Sequence, residues 1–430
     1  MNRHRPSLAA LPYELRREIC TLAIPQHLLR AIHIVDGHAG CDAGDESEDQ
    51  DKQQRRFSVC SCDPAPVRGL TENDKERRSG WAWVPARLAS RWGSHWRCEE
   101  EWCKRTKSGA DTDASKGNGS VMALMRTCRS MFKDVLDLLA DAQVHVAGLE
   151  VLEKLAAAQA DRCAGGSSEP VGTCYSVAVL MDLRRLHITL KVPAMFCTAL
   201  GADDGSVNEE MDADCRDLVA SWHRIGEILE QFPHLSSVDA WIDHSTPEKW
   251  CLFNERRIVE PFAAFLRRRR GTGTNDLVAA VHLPFVHPLH ENPERHFIDD
   301  VADSGVSHNL QIRRFVRQRS FVDRGSPPRT FEAEDFPYTA SAREGWHIFP
   351  DPRWTPANIV EAERALFRQG VNVDTGIREW KEDMRVMGQL TDPGFEAYIP
   401  VGEFAGRIVW TEFLRRHNKL YQDYEALWNE

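Results

Sequence analysis

The chain reads as a layered protein of mixed helices and strands, in the α+β or α/β class, with an irregular repeat-like body. Three observations predict this. Short stretches with a two-residue apolar period alternate with helical-period stretches from Leu28 to Phe285. "LRRLHITLKV" is the clearest strand, with Leu186, Ile188 and Leu190 on one side and polar residues between. "CRDLVASWHRIGEILEQF" is the clearest helix, with Leu218, Trp222, Ile225 and Leu229 on one stripe. The 430 residues, 42% of them hydrophobic, suffice for one large core or two moderate ones.

The first element is "LPYELRREICTLAI". Pro12 suits a first helical turn, which needs no N–H there. Leu11, Leu15, Ile19 and Leu22 recur at helical spacing, a stripe expected to pack inward. Pro25 ends the helix, and "LLRAIHIV" follows as a short strand. From about 36 to 119 the chain turns polar and acidic, as an insertion would. Within it lies a tryptophan-rich island, where Leu88, Trp92 and Trp96 predict a short helix after Pro85 that docks on the body.

"SVMALMRTCRSMFKDVLDLLADA" then reads as a strong helix, capped by Ser120, with Leu124, Cys128, Met131 and Val135 along one side. "AQVHVAG" is a strand, "LEVLEKLAAAQA" a helix, "LSSVDAWIDH" a strand. "ERRIVEPFAAFLRRRR" is a helix interrupted at Pro261, and "NDLVAAVHLPFV" another strand. These elements place a body at 1–290 and a C-terminal extension at 291–430 packed on it. In the extension "LQIRRFVRQRSFV" reads as a strand or hairpin arm, "PPRTFEAEDFPY" as a loop, "TPANIVEAERALFRQG" as a helix, and the last 25 residues or so as one or two packed helices. Spacing leaves the strand directions open, and the rhythm is too irregular for a strict solenoid.

A formal charge of −11 argues against nucleic-acid binding by bulk electrostatics. No apolar run approaches the roughly 18 residues of a membrane span, and the amino terminus lacks a signal-peptide core. The expected location is therefore the cytoplasm, the nucleus or both, with reduced cysteines. Cys20, Cys128 and Cys251 lie among apolar residues and read as core.

Chemical motifs are sparse. Glycine-rich phosphate loops, H-E-x-x-H and G-x-S-x-G are all missing, so no catalytic and no cofactor-binding residue is assigned. The best metal signal is Cys60, Cys62, His95, Cys98 and Cys103, which lacks paired C-x2-C knuckles. It reads as thiols scattered through a polar insertion, and whether they converge on a metal stays open. "GADDGSVNEEMDADC" lacks calcium-loop spacing and reads as a solvated acidic loop. His282, His287 and His290 flank a strand end without ligand spacing, and Asp243–His244 is a pair without a nucleophile. Arg267 to Arg270 complement a helix carboxyl end, with nuclear import as the alternative.

"LPYELRREICTLAI" resembles the opening of F-box and F-box-like domains, above all the "LPxELRxxIY" form of filamentous fungi. "ALMRTCRSMFKDVLDLLADAQVHVAG" resembles the second piece of that pattern, and "LRRLHITL" with "WHRIGEILEQFPHLSSVDAWI" its later strand, helix and strand. The likeness spans roughly Leu8 to Phe285 without the insertion. It implies a non-enzymatic protein-interaction module with partner-binding residues at Leu11, Pro12, Leu15 and Ile19. Two alternatives stand beside it: a substrate-recruiting ubiquitin-ligase subunit bound to the Skp1 adaptor, and an enzyme with an unrecognised site.

Overall fold

The computed structural model describes residues 11–24, 31–35, 56–59, 90, 92, 95, 98–99, 124, 127, 129–163, 183–202, 211–271, 277–298, 309–317, 320–323, 329–332, 335–337 and 356–375. The elements run α1 (Tyr13–Ala23), β1 (Ala31–Val35), β2 (Arg56–Val59), α2 (Arg129–Ala140), β3 (Gln143–Ala147), α3 (Leu149–Cys163), β4 (Arg185–Val192) and α4 (Ala194–Gly201). They continue with α5 (Ala213–His223), α6 (Ile225–Glu230), β5 (Ser237–His244), α7 (Glu255–Gly271), β6 (Val278–Pro284), β7 (Leu310–Phe315), β8 (Ser320–Asp323), β9 (Arg329–Glu332) and α8 (Pro356–Arg368).

Seven strands form one sheet in the order β2-β1-β3-β4-β5-β6-β7. Among the described residues, β1, β3, β4, β5, β6 and β7 pair in parallel, and β2 lies antiparallel against β1. This is a mixed α/β fold around a parallel sheet. The parallel strands follow one another in chain order, so each crossover steps the same way. Right-handed crossovers that never reverse keep their helices on one side of a sheet.

Burial follows that rule. Val144, Val146, Leu186, Ile188, Leu190, Val192, Val238, Ala240, Ile242, Ala279, Val281 and Leu283 project from one face into the main core. They meet Leu152 and Leu155 of α3, Phe196 of α4, Trp222 of α5, Ile225 and Leu229 of α6, and Phe262 and Phe265 of α7. Trp222 is fully buried and donates its indole N–H to the Ile258 carbonyl at 2.8 Å. A smaller core joins Cys20 and Ile24 to Ile32, Met131, Val135 and Leu139 where α1 packs on α2. Beside it the buried Asp134 pairs with Arg16 at 2.6 Å.

Several expectations change. The Leu218–Leu229 helix divides at Arg224 into α5 and α6. α7 runs unbroken through Pro261, because Ile258, Val259, Phe262 and Phe265 are buried on both sides of it and hold the backbone helical. "RTFE", read as loop, is β9, which pairs with β8 in a separate hairpin. α1 turns a stripe of Arg16, Cys20 and Ile24 inward instead of Leu15 and Leu22, which are 48% and 80% exposed. The salt bridge to Asp134 and the fit of Cys20 against α2 set that rotation. The helix predicted after Pro85 lies largely outside the described residues, as do Ser120, Cys128 and the carboxyl-terminal helices.

Two buried ionic nodes tie the later strands together. Arg317, 1% exposed, donates to Asp243 (2.8 Å), Asp335 (3.1 Å) and the carbonyls of His244, Glu248 and Thr246. Its Nη2 also lies 2.7 Å from His244 Nδ1. Glu255, fully buried, receives the Trp250 indole N–H at 2.6 Å, the Phe297 amide at 3.0 Å and the guanidinium of Arg314. Every lone pair of such a buried carboxylate needs a donor, and here it finds one.

Burial, then the adjacent Arg317, pushes His244 from 6.5 down to about 2. The unfolded chain takes up that proton and the folded one does not. Stability from His244 is therefore complete above pH 6.5 and declines as pH falls toward about 2, at roughly 1.4 kcal/mol per pH unit. Urea unfolding between about pH 7.5 and about pH 5 checks this: His244→Gln should flatten the acidic slope by that amount relative to the parent chain.

Candidate metal centre

The opposite face of the sheet is polar, and its composition follows from the register. His33 of β1 pairs with His145 of β3, His145 with His187 of β4, and His187 with Asp239 of β5. One row toward the strand carboxyl ends come Thr189, Trp241, His282 and Arg313. Each histidine sits between two apolar residues that point into the helical layer, as in Ile32-His33-Ile34, Val144-His145-Val146 and Leu186-His187-Ile188. Side chains alternate along a strand, so apolar-His-apolar triplets in register stack their imidazoles in one row.

The rings are close. Centroids are 4.8 Å apart for His33–His145 and 4.4 Å for His145–His187. His95, brought by the segment that carries Trp92 and Cys98, inserts at 4.7 Å from His33 and 4.2 Å from His145. Trp92 stacks on His33 at 4.6 Å and is 4% exposed. Cys98 is buried, and its side chain hydrogen-bonds the His33 ring.

Two triads result, His33–His95–Cys98 and His95–His145–His187, each with its donor atoms within 4.8 Å of one another. A tetrahedral zinc ion needs donors about 3.3–3.8 Å apart, given bonds of roughly 2.0–2.3 Å. Drawing the donors together by about 1 Å closes either set. Among the described residues, His33 Nε2 and His145 Nδ1 are buried without a hydrogen-bond partner. Burial of unsatisfied polar atoms costs about 1–3 kcal/mol each, and a cation bound at such an atom would satisfy it.

Electrostatics keeps the rings in their ligating form. Burial, and then neighbouring His187, His95 and His33, hold His145 well below 6.5. His187 falls to about 3 through burial and His95, with Asp239 opposing. His33 is lowered by burial, against the bond from Cys98. Neutral imidazoles coordinate metals, imidazolium does not. The Gln143 amide nitrogen lies 3.4 Å from His187 Nδ1, which engages that atom and leaves Nε2 for a ligand. Beyond it, Asp239 Oδ1 lies 3.3 Å from His282 Nε2, and Trp241 stacks on His282 at 4.1 Å. Burial would raise the Asp239 carboxyl, but the bond to His282 and the nearby His187 and Arg313 lower it on balance.

Of the five residues in the sequence-level metal signal, His95 and Cys98 enter this centre, while Cys60, Cys62 and Cys103 lie outside the described residues. His33, His145 and His187 were not singled out. The apolar-His-apolar triplet recurring at the middle of successive strands was the signal that could have found them. The other candidates disperse. His282 faces Asp239, whereas His287 packs near His290 and Phe367 and is pushed to about 4 by burial. Asp243 and His244 are taken up by Arg317. Arg267 pairs with Glu260, Arg268 with Glu230, and Arg269 donates to the Pro233 and Leu235 carbonyls. In α1, Pro12 and Leu15 are exposed and Leu11 and Ile19 are half-buried.

Comparison with protein-family models, characterised proteins and solved structures finds no match. No helix among the described residues is long and apolar enough to cross a membrane.

A buried imidazole with an orphaned nitrogen is a liability unless it has a ligand to bind. His145→Leu, an apolar side chain close in volume, should raise the unfolding free energy of the metal-free chain by about 1–3 kcal/mol while leaving stabilisation through His33, His95 and Cys98 by added metal in place. Urea unfolding with and without a chelator reads both effects.

Proposed function

We propose that this chain is a metal-binding protein whose centre takes Zn²⁺ on the polar face of its sheet. The observation that carries this is the convergence of His33, His95 and Cys98, with an orphaned His33 nitrogen among them. Mixed imidazole and thiolate donors suit zinc, a borderline-soft ion without a demanding geometry. The ion would join β1 to the residues Trp92, His95 and Cys98, which the Trp92–His33 stack and the Cys98–His33 hydrogen bond already bring against it. An unfilled coordination position would make the same centre that of an enzyme whose site no motif announces.

The test is zinc content and zinc-dependent stability of the purified full chain. Stoichiometric zinc should survive desalting, and free zinc at 100 times its dissociation constant should add about 2.7 kcal/mol to unfolding. Cys98→Ser and His33→Ala should each lose most of that gain. A folded chain that neither retains zinc nor is stabilised by it ends the proposal.

A second reading is favoured by one observation: α1 presents Tyr13, Leu15 and Leu22 to solvent at 40%, 48% and 80% exposure. The F-box-like resemblance makes a partner-binding helix of that surface, with the Skp1 adaptor as its candidate partner. Leu15→Asp should abolish co-purification of the adaptor without lowering the unfolding midpoint. Failure of the well-folded parent chain to bind purified adaptor removes this reading.

A further inference from the structure

We infer that the centre holds two ions, bridged by His95. The inference rests on the metal-binding proposal and adds a second site, built by His95, His145 and His187.

The five donor residues fall into two overlapping triads that share only His95. Donors around one zinc ion lie at most about 4.0–4.6 Å apart, twice a metal–ligand bond. His33 and His187 belong to different triads and stand two strand spacings apart, about 9–10 Å between backbones. One ion would therefore use one triad and leave the other.

Each triad also contains its own unpartnered nitrogen among the described residues. His33 Nε2 is the orphaned nitrogen of the first, and His145 Nδ1 that of the second. Both residues are more than nine-tenths buried, at 4% and 5% exposure. A single ion satisfies one of these atoms and strands the other, whereas two ions satisfy both.

His95 has the chemistry to serve both ions. Its ring nitrogens point to opposite sides, and its centroid lies 4.7 Å from His33 and 4.2 Å from His145. When the second ion binds, the N–H proton of the His95 ring passes to solvent, and each nitrogen then donates a lone pair to one ion. The charges compensate in part. Two divalent ions are met by the Cys98 thiolate, the His95 imidazolate and the Asp239 carboxylate one strand beyond His187.

The two sites differ in character. The first has sulfur and nitrogen donors and is closed over by Trp92. Among the described residues the second has three nitrogens and, beside them, the 26% exposed Asp239 side chain. The second ion should thus exchange faster and leave first under a chelator.

Cobalt titration of the metal-free, reduced full chain tests this, with bound metal measured by elemental analysis after desalting. Two cobalt ions per chain are expected, with thiolate-to-cobalt absorption saturating at the first equivalent. His187→Ala should retain one ion and keep that absorption. Cys98→Ser should lose the absorption and retain at most the weaker ion. His95→Ala should weaken both sites at least tenfold. If the alanine change at His187 prevents folding, His187→Asn takes its place. One ion per parent chain, or two retained by a folded His187 variant, overturns the bridged pair and leaves the single-ion proposal standing. No bound ion in the folded parent chain overturns both.

Discussion

The direction of winding governs this molecule. Because the parallel strands are laid down in chain order, no crossover reverses, and the described crossover helices cover one side of the sheet. Doubly wound sheets reverse once and open a ligand crevice at the reversal. Among the described strands there is no such reversal, so the usual place for a ligand at the strand carboxyl ends does not arise. What remains is a second face, and its residues must either meet solvent, meet a covering segment or meet each other.

That constraint explains where polar residues were put. Parallel strands buried on both faces are commonly near-continuous runs of Val, Ile and Leu. Here β3, β4 and β5 alternate, and their polar positions collect histidines, an aspartate and a tryptophan in two rows. The far end of the sheet solves a related problem differently: Arg317 and Glu255 are wholly enclosed, and each is surrounded by hydrogen-bonding partners that come from separate segments. In the Arg317 and Glu255 set the ionic groups are matched to one another, although His244 Nε2 is left unpartnered among the described residues; in the histidine row, two orphaned imidazole nitrogens lie within a cluster of possible ligands.

Much of the layering was legible from local pattern. The two-residue alternation in "LRRLHITLKV" and the one-sided stripe through Trp222 and Leu229 each require only neighbouring residues. Parallel pairing, strand order and the single-sided helical layer depend on contacts between residues far apart, and no local period encodes them. The rotation of α1 was missed because Arg16 and Cys20 outcompete Leu15 for the inner face, through an ion pair with Asp134 that lies 118 positions away. Pro261 was read as a break because intrinsic helix preference is local, whereas the burial that overrides it is not. The centre itself was half visible: His95 and Cys98 share a short stretch, but His33, His145 and His187 sit over 40 residues from one another and meet only through the register.

The register gives the histidine row one more property. Donors on a loop can spread or close to suit whatever ion arrives, but these three are spaced by the hydrogen bonds between strands, about 4.8 Å per step. Backbone pairing of that kind does not stretch, and a slip by one residue would turn the imidazoles into the helical layer and bring Ile or Val out in their place. The sheet therefore acts as a fixed gauge. An ion bound as proposed would draw His95 and Cys98, which no strand pairing holds, toward imidazoles that stay where the sheet keeps them.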